Sequence, residues 1–139
     1  AKAILDNEPL KIFNYGEMER DFTYIDDVIE IIFRLLTKPA LSNPNFRKES
    51  PDPSTSWAPH KLFNVGNSKP INILKFIEIL EKEIGKKAKK IFEPIQDGDV
   101  EKTYADTKSI KLWTDWEPKT SVHKGVNEFV IWYKKYFKK

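Results

Sequence analysis

Apolar residues recur at helical spacing in three stretches of this chain, so one side of each predicted helix is apolar. The stretches are residues 28–36, 73–84 and 122–137. Each follows a polar side chain that suits a helix N-cap, namely Asp27, Asn72 and Ser121. Gly85 is expected to end the second helix, and Asp106 to cap a shorter helix that runs to Leu112. The pattern therefore predicts four helices.

Short apolar or alternating segments between these helices favour β-strands. They are residues 10–13, 21–25, 62–65 and 88–92. Residues 39–60 differ, because five of the nine prolines lie there among serines and asparagines, which predicts a long surface loop. Because helices and strands alternate, the order of the elements predicts an α/β fold.

Composition excludes several classes of protein. The 139 residues fit one domain, and a net charge of +3 is too small to indicate a nucleic-acid partner. With no cysteine and two histidines, neither a disulfide framework nor a metal site is expected. No apolar run reaches the length of a membrane span, and the chain has no signal-peptide pattern. Residues 1–5 resemble the end of a helix whose start is missing, so we expect a truncated chain.

The glycines do not form the phosphate-binding loop of a dinucleotide fold, which needs closely spaced glycines after its first strand. They lie at positions 16, 66, 85, 98 and 125, never closer than 13 residues. Tyr104 and Lys108 match the Tyr-x-x-x-Lys spacing of short-chain nicotinamide enzymes. Because Tyr104 precedes the predicted cap Asp106, we do not expect the two side chains to share a helix face. No catalytic residue and no cofactor-binding residue is therefore predicted in this chain.

Arg20 and Asp99 are the first two candidate binding residues. A guanidinium donates two parallel hydrogen bonds to a diphosphate, but Arg20 could equally form a surface pair with Asp21 or Glu19. Asp99, in the loop of residues 94–100, could accept hydrogen bonds from ribose hydroxyls, or it could simply belong to an Asp-Gly turn. The residues alone leave both alternatives open.

Phe13 and Gln96 are two further candidates. The Phe13 ring could stack on a base or pack into the core. Gln96 offers both a hydrogen-bond donor and an acceptor, or it is solvated. The lysines of residues 86–90 and those of the C-terminal end could attract polyanions or form a solvated rim.

Five motifs, taken in order, carry a resemblance to a known family. They are Phe13, Arg20-Asp21-Phe22-Thr23-Tyr24-Ile25-Asp26-Asp27, Phe63-Asn64-Val65-Gly66, Gly98-Asp99-Val100 and Thr103-Tyr104-Ala105-Asp106. In this order they resemble the C-terminal part of the extended short-chain dehydrogenase/reductase family, which includes nucleotide-sugar epimerases, dehydratases and decarboxylases. Within it, residues 51–59 and 96–100 look most like those of bacterial UDP-glucuronate 4-epimerases. The resemblance covers essentially all 139 residues.

The resemblance implies a role for each candidate. Arg20 would bind the diphosphate of UDP, Asp99 the ribose hydroxyls, and Phe13 with its neighbouring backbone the uracil. Gln96 stands where the galactose-epimerase branch often has an arginine, so Arg20 would carry more of the anion binding. Asn64 to Gly66 would end a strand of the cofactor domain.

The resemblance also describes the rest of the protein. Residues 1–139 would form the C-terminal UDP-binding region of an NAD-dependent cytoplasmic enzyme whose N-terminal NAD domain lies outside this chain. That enzyme would invert C4 of UDP-glucuronate through a 4-keto sugar. The expected partners are the UDP-sugar and the N-terminal domain, without nucleic acid or membrane, and a homodimer stays open. The alternatives are a nucleotide-sugar 4,6-dehydratase, a UDP-glucuronate decarboxylase, or a non-catalytic nucleotide-sugar-binding module. The apolar faces of residues 28–36 and 62–65 are expected to pack on elements outside the chain.

Overall fold

Helices and short strands alternate along the chain in a computed structural model that describes residues 1–138. The helices are α1 (Lys2–Asp6), α2 (Ile25–Leu36), α3 (Ile73–Ile84), α4 (Lys108–Thr114) and α5 (Val122–Phe137). The strands are β1 (Pro9–Ile12), β2 (Glu19–Arg20), β3 (Ile71–Asn72) and β4 (Lys89–Phe92). A 3-10 turn, Phe13–Gly16, follows β1. The predicted α/β fold is confirmed.

The strands form two small sheets, each of two strands, that bring distant parts of the chain side by side. β1 pairs with β4 in parallel, and β2 pairs with β3 in antiparallel orientation, with Arg20 opposite Ile71. The loop after β4 then returns to β2. There the Glu19 N–H donates to the Glu101 carbonyl at 2.8 Å, and the Thr103 N–H donates to the Glu19 carbonyl at 3.2 Å. The loop after β4 therefore lies beside Arg20.

Two apolar clusters form the core. The larger joins α1, α3 and α5, and its buried members are Ile4, Ile79, Leu80, Ile84, Val126 and Val130. The smaller joins α2, α4 and the segment that follows α4, and its buried members are Ile31, Ile110 and Trp116. Because burial of apolar surface is the main favourable term in folding, these helix pairs support the loops that carry the candidate residues.

The caps of α3 and α5 confirm the sequence prediction. The Asn72 side-chain oxygen accepts the Leu74 N–H at 2.9 Å, and Ser121 Oγ accepts the Lys124 N–H at 3.2 Å. Gly85 ends α3 with a φ of 83°, in the left-handed region that glycine adopts without steric cost. Both helix starts were predictable because each cap satisfies donors only two or three residues away.

The predicted N-cap of α2 is wrong. The helix begins at Ile25, so Tyr24 occupies the N-cap position and Asp27 lies in the first turn. The buried Asp27 carboxylate instead accepts the N–H groups of Lys119 at 3.4 Å and Thr120 at 3.0 Å. It ties the segment before α5 to α2, a contact between residues distant in sequence that the local pattern does not contain.

The prediction for α4 is right in kind but displaced. Asp106 Oδ1 does accept the Lys108 N–H at 3.0 Å. The N-cap position itself is Thr107, and the helix ends at Thr114 rather than at Leu112. Differences of one or two residues are usual at helix ends.

The predicted strand at residues 21–25 is wrong, because regular pairing stops at β2. The Asp21 carboxylate accepts the N–H groups of Ser68 at 3.0 Å and Ala105 at 3.2 Å, and the Asp21 N–H donates to Thr103 Oγ1 at 3.0 Å. A threonine hydroxyl therefore satisfies the Asp21 N–H, and the Asp21 carboxylate satisfies backbone N–H groups of two other segments. In a strand, these bonds would run between backbone groups.

The predicted strand at residues 62–65 is also wrong. Within residues 1–138, the one backbone hydrogen bond of this segment runs from the Leu62 N–H to the Ser54 carbonyl, at 2.9 Å. A strand needs a neighbour that takes its N–H and C=O groups along its length. The strands predicted at residues 10–13 and 88–92 are confirmed by β1 and β4.

Residues 39–60 form the predicted loop. The described structure contains no helix or strand there, apart from an isolated bridge between Thr55 and Lys61. The loop folds on itself, because the Asn43 N–H donates to the Ser56 carbonyl at 2.8 Å and the Asn43 side chain donates to Thr55 Oγ1 at 3.1 Å.

Apolar side chains of α2 and of residues 62–65 are exposed, as the sequence predicts. Phe33 is 66% exposed, Leu36 73% and Leu62 60%. Exposed apolar patches of this kind mark surfaces that pack on another element. None of the helices within residues 1–138 is both long enough and apolar enough to cross a membrane.

Candidate functional site

Three of the four candidate binding residues line one pocket. Phe13 follows β1, Arg20 lies on β2 and Asp99 lies in the loop after β4, and these three segments meet around a cavity of about 170 Å³. The other lining residues are Lys11, Ile12, Met18, Ile73 and Ile77. The fold therefore joins an aromatic ring, a guanidinium and a carboxylate that are far apart in sequence.

The Arg20 guanidinium is fixed by the backbone around it. Nη1 donates to the carbonyl oxygens of Glu19 at 2.9 Å and Glu101 at 3.2 Å. Nη2 donates to Asp99 Oδ1 at 2.8 Å and contacts Met18 Sδ at 3.9 Å. Nε forms no hydrogen bond within residues 1–138. Nη1 is therefore anchored by the backbone, whereas Nη2 holds the Asp99 carboxylate, which a ligand could replace.

Arg20 does not form the surface pair considered as its alternative role. The Glu19 carboxylate pairs with Lys102 at 2.5 Å, and the Asp21 carboxylate accepts backbone N–H groups, including that of Ser68 at 3.0 Å. Arg20 pairs instead with Asp99, whose side chain is 33% exposed against 22% for Arg20. The two residues assigned to diphosphate and ribose are therefore direct neighbours.

A tight turn presents the Asp99 carboxylate. The Asp99 N–H donates to the Gln96 carbonyl at 3.1 Å, and Gly98 has a φ of 81°. Asp99 Oδ1 also accepts the Val100 N–H at 2.9 Å. The turn alternative for Asp99 is thus present in the structure, and it orients the carboxylate towards Arg20 at the same time.

Gln96 is the candidate that the structure separates from the others. Its side chain is exposed and does not line the pocket, and its backbone carbonyl closes the turn before Asp99. Its role in binding stays a prediction.

No Tyr-x-x-x-Lys face is formed, as the sequence predicts. Tyr104 lies before α4 and is 61% exposed, whereas Lys108 is the first residue of that helix. Another tyrosine, Tyr24, borders a separate apolar pocket with Phe22, Phe76 and Phe129. Burial and the nearby carboxylates of Asp26, Glu128 and Asp27 raise the pKa of Tyr24. A tyrosine base needs a lowered pKa, so Tyr24 does not fit that role.

Sequence reasoning missed Lys11 and Met18 as pocket residues. Lys11 lies in β1, two residues before Phe13, and residues two apart in an extended segment point to the same side, so Phe13 could have indicated Lys11. Met18 gave no such signal, because its contact with Arg20 depends on the turn that precedes β2.

Comparison with known proteins finds similar sequences over most of the chain. Residues 1–47 match the model of the "NAD dependent epimerase/dehydratase family". Protein CapI of Staphylococcus aureus is 43% identical over 138 residues, which are 99% of this chain and 41% of CapI. A probable UDP-glucuronate 4-epimerase of Rhizobium meliloti is 37% identical over 94% of this chain and 39% of its own length. The chain thus matches this family over residues 1–47, and it is similar to both relatives along 94–99% of its own length.

A solved structure extends the similarity to the fold. The UDP-glucuronic acid 4-epimerase from Bacillus cereus in complex with NAD is 29% identical and superposes with a TM-score of 0.73, over 99% of this chain and 37% of that one. The epimerase fold predicted from the motifs is confirmed. The chain spans about two fifths of the length of the relatives that it matches.

Proposed function

We propose that this chain is the C-terminal UDP-binding region of a cytoplasmic, NAD-dependent UDP-glucuronate 4-epimerase. The observation that carries the proposal is the pocket shared by Phe13, Arg20 and Asp99. These are the residues to which the family resemblance assigns uracil, diphosphate and ribose. In support, one structure of the Bacillus cereus epimerase contains UDP-glucuronic acid together with NAD.

The proposed binding mode follows from the anchored guanidinium. The diphosphate approaches the Nε and Nη2 edge of Arg20, while Nη1 keeps its bonds to the Glu19 and Glu101 carbonyls. Asp99 accepts the ribose hydroxyls, and the Phe13 ring lies against the base. Each charge-assisted hydrogen bond of Arg20 contributes about 1.5–3 kcal/mol.

We assign no NAD-binding residue to this chain. Its glycines are too widely separated for a pyrophosphate loop, so we assign NAD binding to the part of the longer protein outside this chain. The proposed reaction inverts C4 through a 4-keto sugar, which must turn over while UDP stays in place. This chain contributes that hold on UDP, which positions the sugar without reacting with it.

The exposed apolar surfaces support the assignment of a second domain. Phe33 and Leu36 of α2, and Leu62 in the segment that forms no strand, have no apolar cover. In the proposal, the remaining polypeptide covers α2 and pairs with residues 62–65. We expect the isolated chain to be inactive with added NAD, and measurable epimerisation by it would contradict this assignment.

Product analysis tests the reaction. The full-length protein that carries this chain is incubated with UDP-glucuronate, and the sugar protons are followed by NMR. Inversion at C4, with all six sugar carbons retained, is expected. Release of carbon dioxide would identify a decarboxylase, a 4-keto-6-deoxy product from a neutral nucleotide sugar would identify a dehydratase, and no reaction with bound UDP would identify a binding module.

Calorimetry tests the binding mode. Replacing Arg20→Ala should weaken UDP binding by about 2 kcal/mol or more, and Arg20→Lys should recover little because a point charge lacks the fork. Arg34→Ala is the matched control. Arg34 also pairs with a carboxylate, that of Glu30 at 2.6 Å, but does not line the pocket. Equal UDP affinity in the Arg20→Ala and wild-type proteins would assign Arg20 to a structural role.

A further inference from the structure

We propose that one face of this protein binds the surface of an anionic lipid bilayer. We call it the basic–aromatic surface, and its residues are Ile131, Trp132, Lys135, Tyr136 and Lys138 on or next to α5, with Lys86 and Lys87 after α3. None of these residues lines the proposed UDP pocket. The inference therefore does not depend on the proposed reaction.

The apolar part of this surface points away from the core. α5 buries Val126 and Val130 against α3, while Ile131 is 56% exposed, Trp132 52% and Tyr136 67%. The solvent face of an ordinary amphipathic helix carries polar side chains instead. The exposed rings also cluster, since the Trp132 and Tyr136 rings stack with centroids 5.3 Å apart. They form one continuous apolar patch.

The same surface carries an excess of positive charge. Residues 129–138 contain three lysines and residues 84–90 contain four, and neither segment contains Asp or Glu. Lys134 brings the segments together, because its Nζ donates to the Ile84 carbonyl at 3.2 Å.

Acidic neighbours do not cancel this charge. Glu81 is buried and pairs with Lys87 and Lys90. The Glu83 carboxylate accepts a hydrogen bond from Asn127 at 2.7 Å. Glu128 is exposed on α5, one turn before Trp132. Of the four lysines of the surface, Lys87 is paired with Glu81, and the other three outnumber the exposed carboxylate of Glu128, so the surface remains positive.

The combination of charge and aromatic rings selects the partner. A second copy of this surface would bring lysines against lysines. Single-stranded nucleic acid binds in basic grooves whose rings are free to stack on bases, whereas α5 is a convex helix on which the Trp132 and Tyr136 rings stack on one another. Tryptophan and tyrosine beside lysine are the side chains that settle in the headgroup layer of a bilayer. The lysines of the surface are attracted to the negative charge of anionic lipid headgroups.

The exposed face of α2 is a useful contrast. It is apolar as well, with Ile29 55% and Phe33 66% exposed, but the helix carries Asp26 and Glu30 and a single basic residue, Arg34. This composition fits an apolar protein surface rather than an anionic membrane. Of these two exposed apolar faces, that of α5 is the one that combines lysines with aromatic rings.

Vesicle co-sedimentation of the full-length protein tests the proposal. We expect binding to vesicles of phosphatidylcholine with 30 mol% phosphatidylserine, weak binding to phosphatidylcholine alone, and release in high salt. The double variant Lys135→Gln/Lys138→Gln should bind about twentyfold more weakly, since each lysine near the surface contributes roughly a factor of five. The variant Trp132→Ser/Tyr136→Ser should also lose binding, because it removes the inserted rings.

Matched controls keep the test specific. Lys75→Gln/Lys111→Gln removes the same charge from exposed lysines elsewhere, whose side chains are 61% and 56% exposed. Trp57→Ser removes a tryptophan that is 70% exposed in the proline-rich loop. Both controls should bind vesicles like the wild type, and UDP affinity should be unchanged in every variant, which shows that the proteins are folded.

Several outcomes would overturn the proposal. They are equal binding to neutral and anionic vesicles, no binding at all, or equal losses in the controls and the α5 variants. Sedimentation velocity that shows a dimer dissociated by Trp132→Ser would assign the surface to a second copy. Tighter binding to a single-stranded RNA oligomer than to the anionic vesicles, lost in the same variants, would assign it to nucleic acid.

Discussion

Replacing Asp99→Asn separates the two tasks that the pocket gives to one carboxylate. The substitution keeps the shape of the side chain and removes a negative charge that lies 2.8 Å from Arg20 Nη2. In the proposed complex, Asp99 accepts ribose hydroxyls and also competes with the diphosphate for Arg20. The two effects have opposite signs, so ligands with and without a ribose should respond differently.

The magnitudes follow from the exposure of the pair. The Arg20 and Asp99 side chains are 22% and 33% exposed, so their interaction is close to that of a surface pair, about 1 kcal/mol at most. A hydrogen bond from a hydroxyl to a carboxylate contributes about 1.5–3 kcal/mol. The Asn oxygen still accepts a hydroxyl as a neutral group, at about 0.5–1.5 kcal/mol, so about 1–1.5 kcal/mol of that bond is lost. After the gain from the removed competition, UDP should bind up to about tenfold more weakly. Inorganic pyrophosphate has no ribose, so it should bind up to about fivefold more tightly.

Calorimetry with both ligands, on the full-length protein, decides the matter. Asp97→Asn is the matched control, because Asp97 is exposed in the same loop and does not line the pocket. Opposite shifts for UDP and pyrophosphate are expected in the Asp99 variant, and neither shift in the control. Weaker binding of both ligands would mean that Asp99 acts by orienting Arg20. Tighter binding of both ligands would mean that Asp99 only screens the charge of Arg20. Either result refutes the assignment of Asp99 to the ribose.

The remaining predictions concern the base and the scaffold. Phe13→Ala should weaken UDP by about 1–3 kcal/mol and leave pyrophosphate unchanged, which the same calorimetry measures. Burial raises the pKa of the Glu81 carboxyl, but hydrogen bonds from two lysine side chains and a backbone N–H lower it to about 2. Because the ordinary pKa of this carboxyl is 4.5, the lowering stabilises the fold at pH values above 4.5 by roughly 3 kcal/mol, and this stabilisation is lost as the pH falls towards 2. Urea unfolding at pH 7 should therefore show that loss in Glu81→Gln, a much smaller loss in the exposed Glu78→Gln, and convergence of Glu81→Gln with the wild type near pH 2. In Gly66→Ala the new Cβ would lie 2.4 Å from the Ala105 Cβ, so we expect about 1–3 kcal/mol of destabilisation, and an unchanged urea midpoint would contradict that crowding.

Local signals in the sequence were sufficient to predict where α3 and α5 begin. The wrong predictions, for the N-cap of α2 and the strand at residues 62–65, concern contacts between residues that are distant in sequence. Asn72 and Ser121 accept hydrogen bonds from backbone N–H groups within three residues, so a short stretch of sequence is enough to predict these caps. Asp27 has an equally good capping pattern, yet its carboxylate is taken by N–H groups of the segment before α5. Residues 62–65 have strand composition but no described strand beside them, and composition does not supply a hydrogen-bonding neighbour.

In the candidate site, too, the sequence indicated which residues matter but not all of their contacts. Chemistry and motif order indicated Phe13, Arg20 and Asp99, and the fold does bring them together. The alternative pairing of Arg20 with Asp21 or Glu19 is not formed, because the loop after β4 returns to β2 and presents Asp99 instead. Gln96 was chosen from the same loop, but the turn that orients Asp99 uses only its backbone carbonyl. Side-chain direction within a loop is thus the information that the motif lacked.

The Arg20–Asp99 pair changes how the proposed binding step must work. A free arginine would lose its rotamer freedom on meeting a diphosphate, at a cost of about 0.5–1.5 kcal/mol. Here the Glu19 and Glu101 carbonyls already fix Nη1 in the folded protein, so Arg20 loses little further rotamer freedom when the diphosphate binds. The diphosphate then has only to displace Asp99 from Nη2, and the released carboxylate is left beside the ribose. Exchange of one anion for another at a fixed guanidinium keeps the UDP end in place while the sugar is free to turn. A lysine at position 20 would have neither the two carbonyl anchors nor a second donor edge, and for this reason Arg20→Lys should behave like a loss of the residue rather than a conservative change.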